Sequence, residues 1–347
     1  MPMSTPRTRR RPPAWARLSD EQLLQLRFCD LGLSVRDSHI ERGARRLYEE
    51  LRARGIRFRP HIWLAEEWFS PDGVPGIAVP FYLAHPRLAR LERSIMGQVE
   101  GGNSRWFMRI LRHEAGHALD NAYRLRRRKR WREAFGPASR RYPDRYKARP
   151  GSRRYVHHLG DWYAQAHPTE DFAETFAVWL TPRSAWRKRY AEWPAVRKLH
   201  VVDQLMQEVR AQRAPVRNRD RVEPIEYNTR TLAQHYRRKV VRYGQYRRSM
   251  VEGMLAWLFT EERPRKDAAR ACTVLRAHQR ELVDAVSREL ALPRYSVREI
   301  MLMMIDRSEA LQLYVRGSRR DAVHVSRWLL ERLASMYSQG ETPHIFL

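Results

Sequence analysis

The chemistry this chain could carry lies in His113-Glu114-Ala115-Gly116-His117. The surrounding spacing predicts one helix over residues 104–123, and residues four apart on a helix lie one turn above another on a single face. Two imidazoles so placed reach one divalent cation, and the Glu directly after the first His points toward a water on that cation. This is the His-Glu-x-x-His arrangement suited to zinc-assisted hydrolysis. On the helical wheel Arg105, Arg109, Arg112 and Gly116 form a stripe expected to face solvent. The rest of the wheel is apolar, with His113 and His117 beneath Trp106 and Ile110. Two core histidines hydrogen-bonded to backbone would fit the same wheel, because buried imidazoles need partners.

A catalytic zinc site takes three protein ligands and leaves one position open. A third His six residues after the second would fall on Tyr123, so that arrangement is excluded. The remaining option is a carboxylate from a later helix, and the best segment is His167-Pro168-Thr169-Glu170-Asp171-Phe172-Ala173-Glu174-Thr175-Phe176-Ala177. Phe172, Phe176 and Trp179 make one stripe, with Glu170, Glu174 and Ala177 roughly opposite. Ala173 and Ala177 keep that flank small enough for another helix to approach. Glu170 could bind the cation while Glu174, one turn on, accepts a hydrogen bond from a ligating His. An amphipathic helix with acids in its first turn, where the helix dipole favours them, has the same pattern.

The segments LRHEAGHALD and HPTEDFAETFAVWL together resemble the bacterial zinc-binding metallopeptidases and, more distantly, the lethal-factor-type peptidases. Both are gluzincins, whose third ligand is a Glu, and the separation of 53 residues between His117 and Glu170 is of the length these families have. The resemblance covers roughly residues 95–210. It implies a zincin-like domain binding one Zn²⁺ per chain through His113, His117 and Glu170, with Glu114 as catalytic base and Glu174 as the acid one turn beyond the ligand. It also implies a peptide or protein substrate. A Tyr seven residues before the ligand Glu belongs to the lethal-factor-type pattern, and Tyr163 occupies that place. Tyr163 is the first choice for donating to the oxyanion, with His157, His158 and His167 as rivals; His167 also precedes Pro168 at a helix start, where it would shape the entry. Asp120, one turn below His117, would either hydrogen-bond a ligand His or face solvent. Asp161 and Asp171 are alternative ligands.

The elements that must position these residues follow from the rest of the chain. With 347 residues, 43% of them hydrophobic and 10% aromatic, it is long and apolar enough for two domains. Residues 1–16 are Pro- and Arg-rich and expected to be disordered. A short helix capped by Ser19 and a longer one over residues 37–54 follow. Residues 56–65 and the stretch IAVPFYLA are expected strands, the second with a Pro suited to an edge where a peptide substrate could pair. Further helices are expected over residues 169–180 and 193–212. Residues 17–213 thus form the catalytic domain, 214–228 a linker and 229–347 a helical C-terminal domain. The fold class is α+β, mostly helical, with a small edge sheet.

Net charge is +28, almost all from Arg spread along the chain. Acidic peptides and nucleic acid are the partners that charge alone suggests, although no nucleic-acid motif is present and an arginine-rich coding bias would give the same composition. The competing reading is therefore a basic protein that binds nucleic acid or an acidic partner, its zinc site structural or inactive. The run from Arg124 to Arg132 reads as a solvated helix end. Two cysteines, Cys29 and Cys272, exclude a disulfide framework and fit a reducing cytoplasm. The N-terminus shows no apolar leader, and no apolar run is long enough to span a membrane.

Overall fold

The computed structural model describes residues 12–96, 99–143, 145–146, 148–149, 152–160, 162–244, 250–339 and 345–346. Of the expected disordered tail, residues 1–11 lie outside that set. Ala14–Arg17 is a 3-10 turn whose Trp15 is buried and donates its indole N–H to the carbonyl of Leu31 at 2.9 Å. A buried indole with a satisfied donor outweighs a Pro/Arg-rich composition.

In chain order the first helices are α1 (Asp20–Leu24), α2 (His39–Ala53), α3 (Pro86–Met96), α4 (Ser104–Tyr123), α5 (Lys129–Phe135), α6 (Pro168–Leu180), α7 (Trp186–Arg189), α8 (Ala195–Val209) and α9 (Leu232–Gly244). Helices α2, α4 and α6 start where the sequence supplies a cap. Ser38 accepts from the N–H groups of Ile40 and Glu41, and Asn103 accepts from that of Trp106. His167 accepts from Thr169, with Pro168 at the first helical position. The helix over 104–123 has its expected bounds, whereas α8 is shorter than the expected 193–212. All thirteen residues of α6 are buried, because α4, α5 and α8 surround it. A helix enclosed on every side must be apolar nearly all round, and any acid it carries then needs a partner.

Strands β1 (His61–Ala65) and β2 (Gly76–Pro80) pair in parallel, from His61 opposite Gly76 to Ala65 opposite Pro80. The expected strand IAVPFYLA stops at Pro80, and Phe81–Ala84 turns into a 3-10 helix. Nor is β2 the open edge expected of it. All five of its residues are buried, and Phe69, from the loop joining the strands, bridges Ala78 on the far side with Ala78 N–H to Phe69 O at 2.8 Å. A buried strand has no water for its backbone, so the chain itself must pair both sides.

Among the described residues two large apolar clusters form, beside a small third of Trp63, Ala65, Val74 and Ala78 at the strands. The first runs from Trp15 to Tyr236 and the second from Val251 to Ala334, joined by Tyr146, Ala148, Trp162 and Ala166. They part later than the expected boundary at 229. Helix α9 buries Leu232 and Tyr236 in the first cluster, and Phe28 N–H donates to Arg230 O at 3.0 Å. The expected linker is a strap along β1: Trp63 donates its indole N–H to Val222 O, and His61 meets Asp220 O, both at 2.9 Å. The second cluster holds α10 (Met250–Leu258), α11 (Ala271–Ala277), α12 (Gln279–Glu289), α13 (Arg294–Ala310) and α14 (Arg319–Gln339). A two-residue β3 (Arg145–Tyr146) pairs antiparallel with β4 (Ile345–Phe346). The class is α+β and mostly helical, as expected. Among the described residues no helix is long and apolar enough to cross a membrane.

Candidate metal centre

Helices α4 and α6 cross at Gly116. A Cβ there would lie 2.9 Å from the Cα of Ala173 and 3.2 Å from Cδ1 of Phe176, so only Gly permits this approach. The expected solvent stripe is corrected at this point. Gly116 faces α6, not water. Arg112 is buried against Glu50 of α2, with Nε to Oε2 and Nη2 to Oε1 both at 2.7 Å. Arg109 reaches Asp306 at 3.1 Å and Arg105 reaches Glu309 at 3.3 Å, both on α13. Arg105 stays exposed as expected, but toward Gly116 packed helices occupy the face the wheel left for water, and the guanidinium of Arg112 is accommodated because a carboxylate meets its fork.

The close crossing carries Glu170 onto the two imidazoles. His113 Nε2 lies 3.0 Å and His117 Nε2 lies 3.2 Å from Glu170 Oε2, and the two nitrogens are 3.1 Å apart. Three corners of a tetrahedron with metal–ligand bonds of about 2.0–2.1 Å are about 3.3 Å apart, so this triangle fits a zinc ion. The other polar side-chain atoms of His113 and Glu170 are engaged. Glu174 Oε1 takes Nδ1 of His113 at 2.9 Å, and its Oε2 accepts the N–H of Leu159 at 2.8 Å. Tyr142 donates its hydroxyl to Glu170 Oε1 at 2.6 Å. Burial opposes charge on Glu170, yet His117 and His113 hold its carboxyl well below the usual carboxylate range. Burial likewise opposes charge on His113, but its hydrogen bonds to Glu170 and Glu174 raise it well above the usual value. Carboxylates that favour a proton on this imidazole favour a divalent cation in its place.

The centre opens on a cleft of about 740 Å³ whose walls include Trp68, Phe69, Trp106, Ile110, Glu114 and Tyr163. Glu114 Oε2 is buried and has no hydrogen-bond partner among the described residues, and burial raises its carboxyl above the usual range. Tyr163 opens a 3-10 turn, its ring 5.5 Å from that of His113. Burial pushes its phenol well above the ordinary value, so the hydroxyl keeps its proton. Six acids line the cleft, namely Glu67, Asp72, Glu92, Glu100, Glu114 and Glu170, against the bases Arg126, Lys239 and Arg307. The expectation of an acidic substrate, drawn from the net charge, finds no support in that lining.

Several sequence candidates lie elsewhere. Asp120 neither bonds a ligand His nor faces solvent: it is fully buried, taking the backbone N–H of Arg126 at 2.7 Å and its Nε at 2.6 Å. The run Arg124–Arg132 is solvated as expected at Arg124, Arg127, Lys129, Arg130 and Arg132, whereas Arg126 turns inward to Asp120 and Trp131 of α5 is fully buried. His158 is buried against the carbonyl of Arg109 at 2.9 Å, and His157 pairs with Glu299 at 2.7 Å; neither lines the cleft. His167 caps α6 and stacks on Tyr142 with ring centroids 3.7 Å apart. Asp171 pairs with Lys198, away from the triangle. Asp161 lies outside the described residues. Tyr142 is the functional residue that sequence reasoning missed as such. It sits 28 residues before Glu170 in a loop-rich stretch with no period to single it out.

Residues 93–192 match the model of a family described as "Putative zinc-binding metallo-peptidase". The matched stretch contains α4, α6 and the whole donor triangle, and the expected likeness to zinc-binding metallopeptidases is thereby found at family level. No curated protein and no solved structure matches the chain.

Proposed function

We propose that this protein is a zinc-dependent metallopeptidase that cleaves peptide or protein substrates, with one Zn²⁺ held by His113, His117 and Glu170. One observation carries the reading. Donor atoms from positions up to 57 residues apart form a triangle of 3.0–3.2 Å at the wall of a cleft, beside an unpartnered Glu114 carboxylate oxygen. A structural zinc closes its shell with four protein ligands, whereas three donors facing a cleft suit a catalytic one. The competing binding-protein reading keeps only the net charge of +28 in its favour.

Zinc bound here would lower the pKa of a water to about 7 and polarise the scissile carbonyl. Glu114 would take the proton of that water through Oε2, which has no hydrogen-bond partner among the described residues. The same carboxyl then delivers the proton to the leaving amine. Tyr163, protonated throughout, donates its hydroxyl to the developing oxyanion. Glu174 fixes the ring of His113 by accepting from Nδ1, which leaves Nε2 for the cation. Tyr142 occupies Glu170 Oε1 and leaves Oε2 facing the imidazoles.

The test is Glu114→Gln. This variant should keep the zinc content of the wild type by mass spectrometry and lose about 10²–10⁴ in kcat on a peptide substrate. Full hydrolysis by a zinc-replete Glu114→Gln protein would refute the mechanism.

A further inference from the structure

The cleft has a second pole, distinct from the metal pole and formed by Glu67, Glu92, Glu100, Tyr82 and Lys239. Lys239 of α9 shows what this pole accepts. Its Nζ lies 3.0 Å from Glu92 Oε1 and 3.3 Å from Glu67 Oε1, over the face of Tyr82 at 4.9 Å from the ring centroid. Two carboxylates thus share one ammonium, and Glu100 lines the same end of the cleft. Of the other bases of the cleft, Arg126 is spent on Asp120 and Asp72, while Arg307 pairs with Glu252 and its charge also bears on Glu100. Glu100 is exposed on the cleft wall. Three carboxylates against one paired ammonium leave the negative charge there incompletely neutralised.

An independent observation points to a ligand. Tyr82 is fully buried, belongs to the cleft wall, and its hydroxyl has no hydrogen-bond partner among the described residues. The three carboxylates do not converge within reach of one metal ion as His113, His117 and Glu170 do. A compact nitrogen cation suits the pole better: it adds N–H donors for the unspent oxygens and for the Tyr82 hydroxyl, and its apolar stem can run along Trp68, Met96 and Trp106.

Resting on the peptidase reading above, we propose that this pole is a specificity subsite for a positively charged nitrogen group of the substrate, either a basic side chain or a free α-ammonium. The enzyme is then basic outside and acidic where it reads its peptide.

The experiment uses the full, zinc-loaded chain and small probes whose binding is followed by quenching of tryptophan fluorescence. Benzamidine, n-pentylamine and glycinamide represent an arginine side chain, a lysine side chain and an α-amine. Benzamide, n-pentanol and N-acetylglycinamide are their neutral counterparts. At least one cation should bind tenfold or more tightly than its counterpart, and the best of the three identifies the source. Glu67→Gln with Glu100→Gln should weaken that probe at least tenfold. Should the double variant fail to fold, Glu100→Gln alone, altering a solvent-reached residue, should weaken it at least threefold. Equal binding of cations and counterparts, no saturable binding of any cation, or affinity indifferent to these substitutions would overturn the subsite. Cleavage of a mixed peptide library by the wild type separates the two claims. No cleavage at all strikes the peptidase reading, while cation binding still decides the subsite.

Discussion

Glu174 has both oxygens committed, one to Nδ1 of His113 and one to the N–H of Leu159. It does not itself line the cleft, so it acts through the imidazole. Glu174→Ala should weaken zinc about 10–100-fold in competition with a chelator. Glu170→Ala, which removes a donor from the triangle, should weaken it further; full zinc retention by Glu170→Ala would place the third ligand elsewhere. His158 gives a pH prediction. Burial, opposed only in part by Glu174, holds it down to about 4, against about 6.5 in an unfolded chain. Between those values the unfolded chain takes up a proton that the folded one refuses. Stability is therefore complete above about pH 6.5 and falls as pH drops toward 4, by a total on the order of 3 kcal/mol. Urea unfolding of wild type beside His158→Gln at several pH values from 7.5 to 4.5 checks this: the variant should show a shallower loss, and identical slopes would contradict the assignment.

The metal triangle depends on how closely α4 and α6 pack, and that spacing is set at Gly116. In an exposed helix Gly→Ala gains about 1 kcal/mol by propensity. Here the new Cβ would meet a backbone Cα at 2.9 Å, which no side-chain rotation relieves. The clash, worth about 1–3 kcal/mol, should win. Gly116→Ala is expected to lower the urea midpoint and zinc affinity together, and a stabilised variant with unchanged zinc affinity would show that the helices can part freely. One turn before Gly116, on the same side of α4, the helix is pinned by Arg112 and Glu50. Removing Arg112 leaves the buried Glu50 only the exposed Arg46 at 3.1 Å, so Arg112→Met should cost about 3 kcal/mol. The double change Arg112→Met/Glu50→Met should recover most of that. The helix bounds over 104–123 were legible because capping and period are local. The face assignment was not: period tells which residues share a side, but what packs there comes from Glu50 and from α13, about 60 residues before and 200 after.

Across the molecule, the C-terminal helices do more than follow the catalytic segment. Trp162 and Ala166, which flank the turn bearing Tyr163, are buried in the second cluster with α10 to α14, and Arg307 of α13 reaches the cleft. A chain ended at residue 244 is therefore expected to aggregate or to lose hydrolysis even with the triangle intact in sequence. A soluble truncated protein with wild-type kcat would show those helices to be dispensable. The sequence by itself determined what is local or periodic: two imidazoles one turn apart, a Glu set between them, a capped α6 rich in acids, and a mostly helical α+β class. Resemblance singled out Glu170, where spacing alone had left an ordinary helix equally open. Tertiary structure decided the rest. It brought Tyr142 to Glu170, sent Asp120 to Arg126, closed the edge of β2 with Phe69, and gathered Glu67, Glu92, Glu100 and Lys239 at one end of the cleft. No period links positions so far apart; they meet only because burying two apolar clusters folds the chain back on itself, and polar groups carried inside must then find one another.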